Sequence, residues 1–128
     1  MHGTRVIDVA EIGEDPPEAD ASISDVAGQA CVVMTADCLP VLFASTNGRR
    51  VGAAHAGWRG MLDGVLENTV QALESPPETL TAWLGPAISQ AAFEVGSEVR
   101  EAFVSADADA AAHFDANARG RYQADLYA

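Results

Sequence analysis

The chain has 128 residues, enough to bury a core without disulfide or metal staples, and 48% of them are hydrophobic, as in an ordinary globular protein. Nineteen acidic side chains against seven basic ones, with no lysine, leave a formal charge of −12. That balance excludes a nucleic-acid groove, which needs clustered Lys and Arg, and leaves any anionic substrate to a few arginines, helix N-termini or a metal. No run of 18 apolar residues and no secretory h-region is visible. The expectations are no membrane, a cytoplasmic setting and a single domain over residues 1–128.

Residues 4–10 (TRVIDVA) predict a short strand, and residues 11–22 (EIGEDPPEADAS) an acidic surface loop. Residues 30–38 (ACVVMTADC) are nearly continuous in apolar side chains, as in a strand covered on both faces. Pro40 cannot donate to a ladder, so a break or bulge is expected near Leu39. Residues 41–45 continue as a strand, Asn47-Gly48 signals a hairpin turn, and residues 49–57 (RRVGAAHAG) form its partner. Met61, Leu62, Val65, Leu66, Thr69, Val70 and Leu73 make an apolar face at i, i+3, i+4 spacing, predicting one helix over residues 60–74 that Pro76-Pro77 ends. LTAWL (80–84) reads as a strand, AISQAAF (87–93) as a short helix and residues 96–105 as another. Residues 106–120 are Ala/Asp-rich and poorly patterned, and RYQADLYA (121–128) reads as the opening of a further helix. The fold class is therefore α/β (α+β), a mixed β-sandwich core flanked by helices.

The residues that carry chemistry cluster at the ends of the central apolar runs. Cys38 and His55 are the side-chain types that bind zinc best, and each closes an apolar segment. Read singly, they stay open. Cys38 reads first as a buried small apolar residue, His55 equally as a core histidine, and His2 as part of a chain end. No compact zinc spacing such as CxxC or HExxH is present. Arg59, four residues after His55 and beside Trp58, could hold phosphate bidentately from a helix start, or pair with one of the many carboxylates. Asp37 could orient a ligand or serve as a general base, or simply cap a strand end. There is no GxSxG elbow, phosphate loop or dinucleotide fingerprint. Cys31 and Cys38, seven residues apart in one predicted strand, would stand about 20 Å apart, too far for a disulfide.

Three blocks, TADCLPVL, HAGWRG and GPAISQAAFEVGSEV, resemble the signatures of the YfiH family, the bacterial group labelled multicopper polyphenol oxidoreductase or laccase-domain proteins. HGTRV and PEADASIS match in the same order, so the resemblance covers nearly the whole chain. It implies a YfiH-like fold and a metal held by the histidine before the first glycine, the cysteine of the ADC block and the histidine of the HAGWRG block. These are His2, Cys38 and His55 here. Three protein ligands with an open fourth position are the arrangement of a catalytic zinc rather than a structural one. Members of the family are longer, so the resemblance also implies an incomplete catalytic domain without N- and C-terminal segments, the latter completing the sheet and adding polar and basic groups near the site.

The activity so implied is that of a zinc-dependent purine nucleoside phosphorylase and adenosine deaminase, taking adenosine, inosine or methylthioadenosine together with phosphate. Arg59 would orient phosphate toward the anomeric carbon, and Asp37 would shuttle a proton. The HxE and PCxxC pattern of the known base deaminases is missing. The alternatives are a copper-dependent, laccase-like polyphenol oxidase, for which three histidines are few; a metal-free cysteine hydrolase of peptidoglycan-type amides, with Cys38 as nucleophile and His55 as base; and a non-catalytic fragment.

Overall fold

The computed structural model describes residues 2–128. It is α+β, with a mixed sheet and short helices, and it divides into two compact units, Met1–Pro86 and Ala87–Ala128. No helix among the described residues is long and apolar enough to cross a membrane.

The first unit is built on five strands: β1 (Val6–Asp8), β2 (Ala21–Ser24), β3 (Leu39–Ser45), β4 (Val51–Ala56) and β5 (Leu80–Leu84). Their order across the sheet is β1-β2-β4-β3-β5. β1 runs parallel to β2, and every other pair is antiparallel. β3 and β4 form the expected hairpin, and Gly48 takes the positive φ of 70° that the Asn47-Gly48 turn requires. Asn47 Oδ1 accepts hydrogen bonds from the Ser45 hydroxyl and the Arg49 amide, closing the turn locally.

Several expectations are corrected. Residues 31–38 form no strand, and Val32 and Met34 are 72% and 91% exposed. Burial alternates along the segment, with Cys31, Val33 and Thr35 half-buried and Val32, Met34 and Ala36 exposed, so one face is covered rather than the two that the apolar run implied, and no strand of the sheet pairs with it. Ala21 and Ser22, in the stretch expected as a loop, instead open β2. Both cysteines are free, although the strand invoked to separate them does not form. Pro40 does not break the strand either; it lies inside β3, opposite His55. Its carbonyl accepts from the Gly85 amide at 2.8 Å, so its missing N–H faces only the last rung of the β5 ladder, where least is lost.

The helix expected over residues 60–74 is two helices, α1 (Trp58–Leu62) and α2 (Val65–Ala72). The break falls at Gly64, whose φ of 96° no helix accommodates. Gly64→Ala should therefore destabilise the chain by about 1–2 kcal/mol through left-handed strain, read as a lower urea midpoint with an unchanged slope. Beyond the break, α2 turns Val65 and Thr69 inward, and Leu73 follows one turn later; none of the three is exposed. Thr69 satisfies its hydroxyl by donating to the Val65 carbonyl at 2.7 Å. They pack toward a strand made of small residues. A Cβ on Gly52 would stand 3.5 Å from the Thr69 methyl, and Ala53, Ala54 and Ala56 are fully buried. Small side chains on β4 thus let the helix layer come close and fix the strand that carries His55.

The second unit holds β6 (Glu94–Val95), α3 (Ser97–Ala106), β7 (Phe114–Ala116) and β8 (Tyr122–Ala124), its strands ordered β6-β8-β7 and all antiparallel. Residues 87–93 form no helix, only a turn at 90–92, and residues 122–124 are a strand rather than a helix start. The second correction has a visible cause: Tyr122, Ala124 and Leu126 alternate with Gln123 and Asp125, which is strand periodicity. Glu94 anchors this sheet by pairing with Arg119 and Arg121 and accepting from Asn117.

Candidate metal centre

Three separate pieces of chain converge at one end of the five-stranded sheet. Cys38 immediately precedes β3, His55 lies near the end of β4, and His2 arrives on the segment before β1. Their ligand atoms all lie within 4.8 Å of one another. Cys38 Sγ stands 3.7 Å from His2 Nε2, and the two imidazoles face each other at 5.2 Å between centroids, tilted by 56°. His2 is exposed while Cys38 and His55 are half-buried, so the cluster opens to solvent on one side.

The segment bearing His2 is tied down by its neighbours. The Gly3 amide donates to Asp20 Oδ2 at 2.9 Å, Asn68 Nδ2 donates to the Thr4 carbonyl at 3.1 Å, and the Arg5 carbonyl accepts from the amides of Asp20 and Ala21. Gly60 makes this docking possible: a Cβ there would stand 2.8 Å from the Gly3 carbonyl oxygen. Gly57 plays the same part at the site itself, where a Cβ would lie 2.6 Å from His2 Cδ2 and 3.1 Å from Cys38 Sγ. The glycines of the HAGWRG block are therefore places where other backbone or ligand side chains pass.

Asp20 was not singled out in the sequence. It is 2% exposed, its carbonyl accepts the His55 amide at 2.7 Å, and its Oδ1 accepts from His55 Nδ1 at 3.1 Å. With Nδ1 so engaged, His55 presents Nε2 to the cluster. The one signal available was its place in the PEADASIS block, where it is one acidic residue among many.

Asp37 lies exposed beside Cys38 without a hydrogen-bond partner among the described residues. Burial, and then the Asp37 charge, push the Cys38 thiol above its usual range. Arg59 is exposed, its guanidinium over the Trp58 ring at 5.0 Å, with no carboxylate paired to it among the described residues. It is the second residue of α1, which has only five residues and hence little dipole to add.

The donor types suit a single tetrahedral ion, and one of their separations has the matching span. Bond lengths near 2.3 Å to sulfur and 2.0–2.1 Å to nitrogen place those two ligands about 3.6 Å apart, close to the 3.7 Å between Cys38 and His2. A buried carboxylate on the far nitrogen of a ligand histidine is the usual companion of such a site.

The family described as multi-copper polyphenol oxidoreductase laccase matches residues 1–128, and the chain belongs to it. The chain is 52% identical over 128 residues to a purine nucleoside phosphorylase of Haemophilus influenzae, covering 98% of this chain and 52% of that one. It is equally 52% identical over 127 residues to purine nucleoside phosphorylase YfiH of Escherichia coli, covering 99% and 52%. A crystal structure of a Neisseria meningitidis protein, 51% identical, superposes with a TM-score of 0.95 over 99% of this chain and 52% of that one. A Bacillus licheniformis protein titled YfiH, 22% identical, shares the fold at a TM-score of 0.78 over 99% and 53%. The chain spans about half the length of the curated relatives it matches.

Proposed function

We propose that this chain carries the metal centre of a purine nucleoside phosphorylase, with zinc held by His2, Cys38 and His55. The observation behind this reading is the open three-donor cluster, found in a chain half identical to proteins named for that activity. The substrates would be phosphate and a nucleoside of the adenosine, inosine or methylthioadenosine class, with adenosine deamination as a second reaction at the same site. A zinc ion bound there supplies Lewis acidity on the exposed side. Arg59, paired with no carboxylate among the described residues, holds phosphate. Asp37, solvated and next to Cys38, takes or returns the proton.

The donor set also bears on the alternatives. Two imidazoles and one thiol accommodate one ion, and His113 is the chain's one further histidine. A multicopper centre needs more. For a metal-free cysteine hydrolase, the imidazole beside the thiol is His2 rather than the expected His55, and a thiol with a raised pKa is a poor nucleophile near neutrality.

The test is metal content followed by phosphate-dependent release of free base from inosine and adenosine. About one zinc per chain with phosphate-dependent release supports the reading. Absence of metal, or release indifferent to phosphate, sinks it. Bound metal without any turnover would favour the non-catalytic alternative. In an active preparation Arg59→Ala should raise the KM for phosphate about 10- to 100-fold, the weight of a charged hydrogen bond, and affect the nucleoside KM far less.

A further inference from the structure

The Asp20 carboxylate is buried, and it touches both ligand-bearing segments at once. Oδ2 accepts the Gly3 amide at 2.9 Å, and Oδ1 faces His55 Nδ1 at 3.1 Å. Its side chain is 1% exposed and that of His55 14%, so water does not compete freely for either bond. A carboxylate offers only acceptors when ionised, so the histidine nitrogen facing it must carry the hydrogen. The backbone amide on the other oxygen is equally fixed as a donor.

We propose that Asp20 is the positioning residue of the site. It locks His55 in the Nδ1–H tautomer, leaving the Nε2 lone pair for a ligand, while holding the segment of His2 in register through Gly3. One carboxylate thereby sets both the chemical state of one imidazole and the place of the other. The purpose of the lock rests on the metal reading above; the lock itself does not.

Asp20→Asn isolates the effect. The Gly3 N–H cannot accept a hydrogen bond, so the amide oxygen of the asparagine must face Gly3 and its NH2 must face His55. His55 Nδ1 then has to accept, and its hydrogen moves to Nε2, the nitrogen required as a ligand. Shape and burial hardly change while the tautomer reverses. The experiment is long-range nitrogen-15 imidazole NMR on the metal-free chain at pH 8, for the parent and Asp20→Asn, with zinc affinity measured by chelator competition. The expected result is Nδ1–H on His55 in the parent and Nε2–H in the variant, with zinc affinity reduced by about 10- to 100-fold or more. A parent in the Nε2–H form overturns the proposal without need of any variant. So does a folded Asp20→Asn that keeps Nδ1–H. A parent with the Nδ1–H tautomer but no zinc affinity would sink the metal reading and leave the lock standing.

Discussion

Cys38→Ala should leave the chain folded and unable to hold zinc, and His2→Ala should do the same. Loss of a partner behind a ligand already lowers metal affinity about 10- to 100-fold, so loss of a ligand should exceed about 100-fold. Cys38 is the one donor of the three that becomes an anion on binding, and its replacement removes charge as well as a bond. Neither substitution opens a large cavity. Cys38 is half-buried and His2 exposed, so thermal unfolding of the metal-free variants should track that of the metal-free parent. Competition against a coloured chelator measures the affinity, and elemental analysis the stoichiometry. Equal zinc content in parent and variants would remove these residues from the site. Repeating the titration with copper asks the question that the family's descriptive name raises.

Gly57→Ala should damage the same site by a different route. Gly57 has φ −71° and ψ 160°, which alanine adopts without strain. The added methyl, however, would stand 2.6 Å from His2 Cδ2 and 3.1 Å from Cys38 Sγ. Gly57 is buried, so one of those side chains must give way. Overpacking of this kind costs about 1–3 kcal/mol, and here the displaced groups are the ligands. Zinc affinity should fall about as far as on losing a residue that orients a ligand, roughly 10- to 100-fold, although no ligand has been removed. Gly13→Ala is the control: nothing lies within 4 Å of its Cβ, and both stability and affinity should stay put. Unchanged zinc binding in Gly57→Ala would mean that His2 sits elsewhere in solution.

What could be read from the sequence depended on whether the cause of a feature was local. The β3–β4 hairpin was legible because Asn47-Gly48 dictates the turn by its own backbone preference. The inward face of α2 was legible because Val65, Thr69 and Leu73 repeat at helical spacing. The break at Gly64 was not, because a glycine inside an apolar periodicity is tolerated in many helices. The apolar run at residues 31–38 misled for a non-local reason. Hydrophobicity says that a segment would suit a ladder, but not whether a strand comes to pair with it, and none does here. The cluster of His2, Cys38 and His55 followed from motif resemblance, and the structure brings the three together. Asp20 escaped because only its tertiary surroundings distinguish it from eighteen other acidic residues.

The docking of the segment around His2 has one more consequence. The donors at positions 2, 38 and 55 are separated by 36 and 17 residues, so no local stretch of chain can preassemble them. The contacts that seat Gly3, with Asp20 and past Gly60, join it to segments 17 and 57 residues further along the chain. His55 lies in a strand and Cys38 directly before one, while the third donor rides on a strap held by a few hydrogen bonds. Observed affinity scales with the fraction of molecules in which that strap is seated. Anything that lifts the strap weakens the site without touching a ligand atom, and an ion in place in turn holds the strap down.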